Sequence, residues 1–138
     1  MHKFEKLEVW QLAIEYVDVC YAIAEQLPHQ ERYNLASQLR RAATSIALNV
    51  AEGSTSQTDP EQARFVRFAI RSLIETVACQ HLIHRRGYLH DVAPLRAAYQ
   101  ESERLVAKLQ ALRRALGDSS VREDTIDYEL SSTTPLDE

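Results

Sequence analysis

The sequence predicts an all-α fold, an up-and-down antiparallel four-helix bundle, on three observations. Apolar residues return at three- and four-residue steps along four long stretches, and no two-residue alternation marks a strand. The 3 glycines and 4 prolines of the 138 residues fall at joints, at helix starts or in the final segment. The joints are too short to let consecutive helices run in the same direction.

The first helix is expected over residues 5–27. Leu7, Trp10, Ile14, Val17, Tyr21 and Ala24 form one seam, and Val9, Leu12, Tyr16, Val19 and Ile23 form a second. Together the seams cover roughly 220° of a helical wheel, about twice what a surface helix needs. The second seam is therefore expected to meet another subunit, unless N-terminal or C-terminal residues of the same chain cover it. Glu8, Gln11, Glu15 and Asp18 hold the narrow wet face.

The second helix, residues 31–53, carries the uncharged, small-residue run 42–51 and should be central, because small side chains let backbones approach. Gln38, Arg41, Ser45, Asn49 and Glu52 recur beside it as a polar ridge. Ser72 and Glu75 of the next helix are their expected partners in a buried hydrogen-bonded network that fixes helix register. The competing reading makes Glu52 and Glu75 a catalytic acid pair, but no nucleophile, metal set or phosphate loop accompanies them.

The third helix is expected over residues 59–86. Asp59 is placed to cap it, Pro60 suits its first turn and Gln62 can complete a capping box. Arg85 and Arg86 at its negative end, followed by Gly87, close it. It also shows more apolar surface than one neighbour needs, with Phe65, Phe68, Cys79 and Ile83 beside Val66, Ile70, Leu73 and Val77. The fourth helix, residues 91–116, opens at Asp91 with Pro94 in its first turn and has a single apolar stripe from Leu95 to Leu116. Gly53, Gly87 and Gly117 are each read as helix stops.

The formal charge of −4 is unevenly spread. Residues 117–138 hold seven acids against Arg122 alone, which leaves +2 for residues 1–116. The division is thus a bundle over 1–116 and an acidic tail, expected to be disordered, over 117–138. Cys20 and Cys79 lie in apolar helical stretches without metal spacing and read as buried thiols. There is no apolar run for a secretory signal or a membrane span, so a cytoplasmic location and no membrane contact are expected. No catalytic centre, metal set or cofactor is expected. A di-iron bundle would need Glu-x-x-His pairs, the glycines stand singly, and Cys79 and His81 point about 160° apart on a helix.

Leu7-Glu8-Val9-Trp10, Pro28-x-x-Glu31-x-Tyr33 and the block from Gln38 to Gly53, with Arg40-Arg41-Ala42-Ala43, Ser45-Ile46 and Asn49-Val50-Ala51-Glu52-Gly53, carry a resemblance. So do Glu61, Phe65, Ala69, Ser72-Leu73-x-Glu75 and Gly87-Tyr88-Leu89. Over residues 4 to about 112 the chain resembles the four-helix bundle proteins encoded by intervening sequences in bacterial large-subunit ribosomal RNA genes. That resemblance implies a ring-shaped homo-oligomer, typically a pentamer. It also implies a kinship with accessory proteins of diversity-generating retroelements, which engage a reverse transcriptase and nucleic acid. Arg41, Ser45, Asn49, Glu52, Ser72 and Glu75 are the family's signature polar positions, and no catalytic residue is implied. Two departures stand out: the loop 54–58 carries no base, and Arg71 stands where relatives commonly have glycine.

Two functions follow as expectations. One is a non-enzymatic homo-oligomeric scaffold that holds itself and a protein partner. The other is an accessory factor whose Arg40, Arg64, Arg67, Arg71, Arg85 and Arg86 meet the phosphates of RNA or DNA.

Overall fold

A computed structural model of the chain describes residues 1–117, so all but the first residue of the acidic tail expected over 117–138 lies outside the described residues. Four helices make the fold: α1 (Glu8–Glu25), α2 (Leu35–Ser54), α3 (Asp59–Arg86) and α4 (Ala93–Ala115). Short 3-10 turns precede α1 at Lys3–Lys6 and α2 at His29–Glu31. Main contacts join α1 to α2, α2 to α3, α3 to α4 and α4 back to α1, so α1 and α3 lie across one diagonal of the bundle and α2 and α4 across the other. No described helix is long and apolar enough to cross a membrane.

The helix ends show which local signals won. Thr58, not Asp59, caps α3: its Oγ1 accepts the Glu61 amide at 3.3 Å, and proline occupies the first turn. Gly87, at φ 65°, closes α3 in the left-handed conformation expected of it. Asp91 Oδ1 accepts the Ala93 amide at 3.0 Å at the start of α4.

Gly53 is not a stop. It lies buried inside α2, where an added Cβ would come within 3.0 Å of Phe65 Cβ and 3.5 Å of the Gln62 carbonyl. The missing side chain is what lets α2 and α3 close together, helped by buried Ala43, Ile46 and Val50 on α2 and Val66, Ala69, Ile70 and Leu73 on α3.

A polar cluster crosses the core along the α1–α3 diagonal. Thr76 Oγ1 donates to the Leu73 carbonyl at 2.5 Å, which uses its only hydrogen. The Tyr16 hydroxyl therefore donates to Thr76 Oγ1 at 2.7 Å and accepts from Gln80 Nε2 at 2.8 Å. Tyr16, Thr76 and Gln80 are each fully buried. Burial pushes the Tyr16 hydroxyl well above its usual range and the adjacent Cys20 thiol up to about 12.

The opposite kind of clamp, at the surface, ties two connections together. Glu31 Oε2 accepts the Tyr88 hydroxyl at 2.6 Å, while Oε1 takes the Asn34 side-chain amide at 2.9 Å and the Leu35 backbone amide at 3.3 Å. These hydrogen bonds, above all that of Tyr88, hold the Glu31 carboxyl below its ordinary value. One carboxylate thus starts α2 and anchors the chain after α3, which gives both Glu31 and Tyr88 a structural reason.

Three outcomes test these contacts. Gly53→Ala forces α2 and α3 apart, and the strain exceeds the gain in helix propensity, so urea denaturation should show a loss of about 1–2 kcal/mol; a stabilised variant would refute the close approach. Tyr16→Phe should cost about 1–3 kcal/mol because it strands the Gln80 donor, and adding Thr76→Val should cost less than the sum of the two changes. Glu31→Gln lowers the melting temperature near neutrality. A depressed folded pKa means stability present above the ordinary value of 4.5 and lost as pH falls through the folded value, so the two melting curves should converge in acid. A gap independent of pH would remove the carboxylate from the account.

Candidate functional site

The α1 seam expected to face another subunit needs correcting first. Val9 (7% exposed), Tyr16 and Ile23 (both 0%) are core residues of the single chain, and Leu12 and Val19 pack half-buried against that core. In a square bundle α1 touches two neighbours and faces a third across the diagonal, so an arc this wide is covered from within. The N-terminal turn also contributes, with Phe4 edge-on to Trp10 at 4.7 Å. The width of the apolar arc therefore gives no support to a ring.

The expected polar network is likewise smaller than predicted and nearer the surface. Ser72 Oγ donates to Ser45 Oγ at 2.9 Å, and Asn49 Nδ2 donates to the Ser45 carbonyl at 2.8 Å and to Ser45 Oγ at 3.0 Å. These three half-buried residues link α2 to α3. Gln38, Arg41, Glu52 and Glu75 are exposed and lie outside any buried network. Glu52 and Glu75 thus offer no buried acid pair.

What the ridge does form is one wall of an open groove of about 710 Å³ along the outward face of α2. The groove is lined by Arg41, Ser45, Asn49 and Glu52, and on its other side by Ser37, Arg40, Thr44 and Leu48. Tyr21 reaches in from α1, its hydroxyl 3.0 Å from Thr44 Oγ1, and Arg32 and Tyr33 close the end before α2. The Arg32 guanidinium sits over the Tyr33 ring, 5.1 Å from its centroid.

Two properties set this surface apart. Three of the five large apolar side chains most exposed among the described residues line it: Tyr33 at 83%, Leu48 at 60% and Tyr21 at 38%. Three arginines, Arg32, Arg40 and Arg41, face a single acid, Glu52. A wet basic rim around exposed apolar groups is the make-up of a contact surface. The sequence reading missed Tyr21, Arg32, Tyr33 and Leu48; the one available signal was Leu48, a large apolar residue set among the polar positions of the ridge.

The other candidate arginines lie elsewhere. Arg40 is half-buried in the groove, whereas Arg64, Arg67, Arg71 and Arg85 follow one side of α3 with Arg86 at its end. Arg64 stacks over Phe68 at 5.3 Å and Phe65 at 6.0 Å, and Arg67 is half-buried and engaged. The structure thus divides the six arginines between two surfaces.

Neither cysteine is poised as a nucleophile. Burial raises the pKa of both thiols, Cys20 and Cys79, which disfavours the nucleophilic thiolate. Burial lowers that of His81, which lies edge-on to Tyr99. Among the described residues no group of three His, Cys, Asp or Glu could hold a metal ion.

Residues 5–115 match the family model described as 23S rRNA-intervening sequence protein. No curated protein matches the chain.

Proposed function

The chain belongs to the 23S rRNA-intervening sequence protein family, and from that premise we propose that it acts as a non-enzymatic homo-oligomeric scaffold that uses the outward face of α2 for contact. The observation that carries the reading is the groove itself. Tyr33, Leu48 and Tyr21 leave apolar area in water that nothing else in the described chain covers, and association would remove it. The α1 seam no longer supports this reading, so it rests on α2 and on the family's likeness to ring-forming bundles. The ring and its pentameric count belong to the proposal, as does a location in the cytoplasm.

A second reading has its own support. Arg64, Arg67, Arg71 and Arg85 on one side of α3 present a cationic stripe, and a stacked Arg32–Tyr33 pair is the kind of platform on which single-stranded bases stack. In that reading the protein is an accessory factor that binds RNA or DNA beside a protein partner such as a reverse transcriptase.

Light scattering behind size-exclusion chromatography tests the first reading and salt-dependent RNA binding the second. The scaffold reading expects a discrete multiple of the 15.8 kDa subunit at micromolar concentration, and a monodisperse 15.8 kDa species would end it. The accessory reading expects a labelled single-stranded RNA to bind with an affinity that falls steeply as salt rises; binding that ignores salt, or none at all, would end that one.

A further inference from the structure

We propose that the basic groove over α2 receives the acidic face of α1 from a second copy of the chain. The inference rests on the self-association reading and adds to it the two surfaces that meet.

The first support is a segregation of charge between the two helices. Helix α1 contains Glu8, Glu15, Asp18 and Glu25 and no lysine or arginine. All four acids are exposed, and at about 100° per residue they fall within an arc of roughly 100°. The groove has the reverse balance, with Arg32, Arg40 and Arg41 against Glu52. A surface with excess acid and a surface with excess base on one molecule attract between copies and repel when each meets its own kind.

The second support is fit. Ala22 is exposed and sits in the middle of the acidic arc, between Asp18 and Glu25 in the chain. It offers a small flat apolar spot to Leu48, which is 60% exposed between the groove's arginines and Glu52. The stretch from Glu15 to Glu25 runs about 15 Å and that from Arg40 to Glu52 about 18 Å, so a helix laid along the groove matches its length.

The third support is a like-charge contact on the acidic side. Glu8 already has Lys108 of its own chain at 3.3 Å. Glu15, however, faces Glu101, whose carboxyl is pushed up first by burial and then by the charge of Glu15, with Arg104 acting the other way. An arriving guanidinium would relieve that pair. Asp18 and Glu25 lie one turn either side of Tyr21 on α1, so the acidic arc and the groove adjoin on one molecule. In the pairing each copy gives one surface and takes the other.

Charge reversal on the full chain tests the pairing, with light scattering as the readout and circular dichroism as the check on folding. Arg32→Glu with Arg41→Glu reverses the groove, and Glu15→Arg with Asp18→Arg reverses the α1 face; all four side chains are exposed. Each double variant alone should fall to the 15.8 kDa subunit, and mixing the two should recover assemblies that contain both. If the natural chain assembles and either variant assembles equally well, the pairing is wrong while the scaffold reading stands. If both variants dissociate but the mixture stays monomeric, the groove holds something other than α1, and the pairing is again wrong. A third variant, Asp124→Asn with Asp127→Asn and Glu129→Gln, tests the competing occupant: dissociation of this variant with assembly of the α1 variant would assign the groove to the C-terminal acids. A natural chain that is itself monomeric would refute the scaffold reading along with the pairing.

Discussion

The close approach of α2 to α3 is the constraint on which the rest of the bundle depends. It requires that α2 present no side chain where the two helices come closest, and the chain meets the requirement with Gly53 against Phe65, while Ala43, Ile46 and Val50 pack further along. Small interfaces gain less apolar burial per residue than large ones, so the pair needs specific fixing as well as contact. Ser72 bonded to Ser45 supplies one such fix beside the apolar seam, and Glu31 bonded to Tyr88 supplies another at the end of the bundle. Both act at the margins of the seam, where apolar packing is least able to choose a register.

With α2 and α3 held together, the problem that remains is the diagonal. Helices that face each other across a four-helix core have few direct contacts and can slide unless something long and directional joins them. Tyr16 is long enough to cross, and the hydrogen of Thr76 is committed to Leu73, so the tyrosine hydroxyl is left with one arrangement that satisfies Thr76 and Gln80 together. The unpartnered Oε1 of Gln80 is a cost of placing an amide there, and the bonds to Tyr16 and Cys20 offset it. The cluster is fully buried and its groups stay neutral, which suits a positional role.

Much of this was legible beforehand, and the misses have physical causes. Helix number and order followed from periodicity, and the two ends of α3 from the Asp59–Gln62 and Gly87 signals, since caps and periods are local, although Thr58 rather than Asp59 makes the cap. Gly53 was misread as a stop because a glycine before a polar loop looks the same whether it serves a left-handed turn or a close neighbour; only the position of Phe65 decides. Val9, Tyr16 and Ile23 were assigned outward because a helical wheel counts apolar arc without knowing how many neighbours the helix has. The ridge on α2 was read as buried for a related reason. Spacing shows that Arg41, Ser45, Asn49 and Glu52 share a face, but not whether a fifth element lies over it, and among the described residues none does.

That last point separates the two kinds of surface the molecule presents. Where the fold needed a face covered, the chain used small or apolar residues and a few neutral hydrogen bonds. Along the outward side of α2 it placed Leu48 and Tyr33 in water between arginines, an arrangement that stabilises nothing in the isolated bundle. The acids of α1 are unevenly matched within the chain: Glu8 has Lys108, whereas Glu15 meets a like charge in Glu101, with Arg104 acting against it. Folding stability alone would favour mixed charges on both helices, because alternation lowers self-repulsion. A bundle that sorts its charge by helix, and leaves its exposed apolar groups on the basic side, has surfaces shaped by what approaches them from outside.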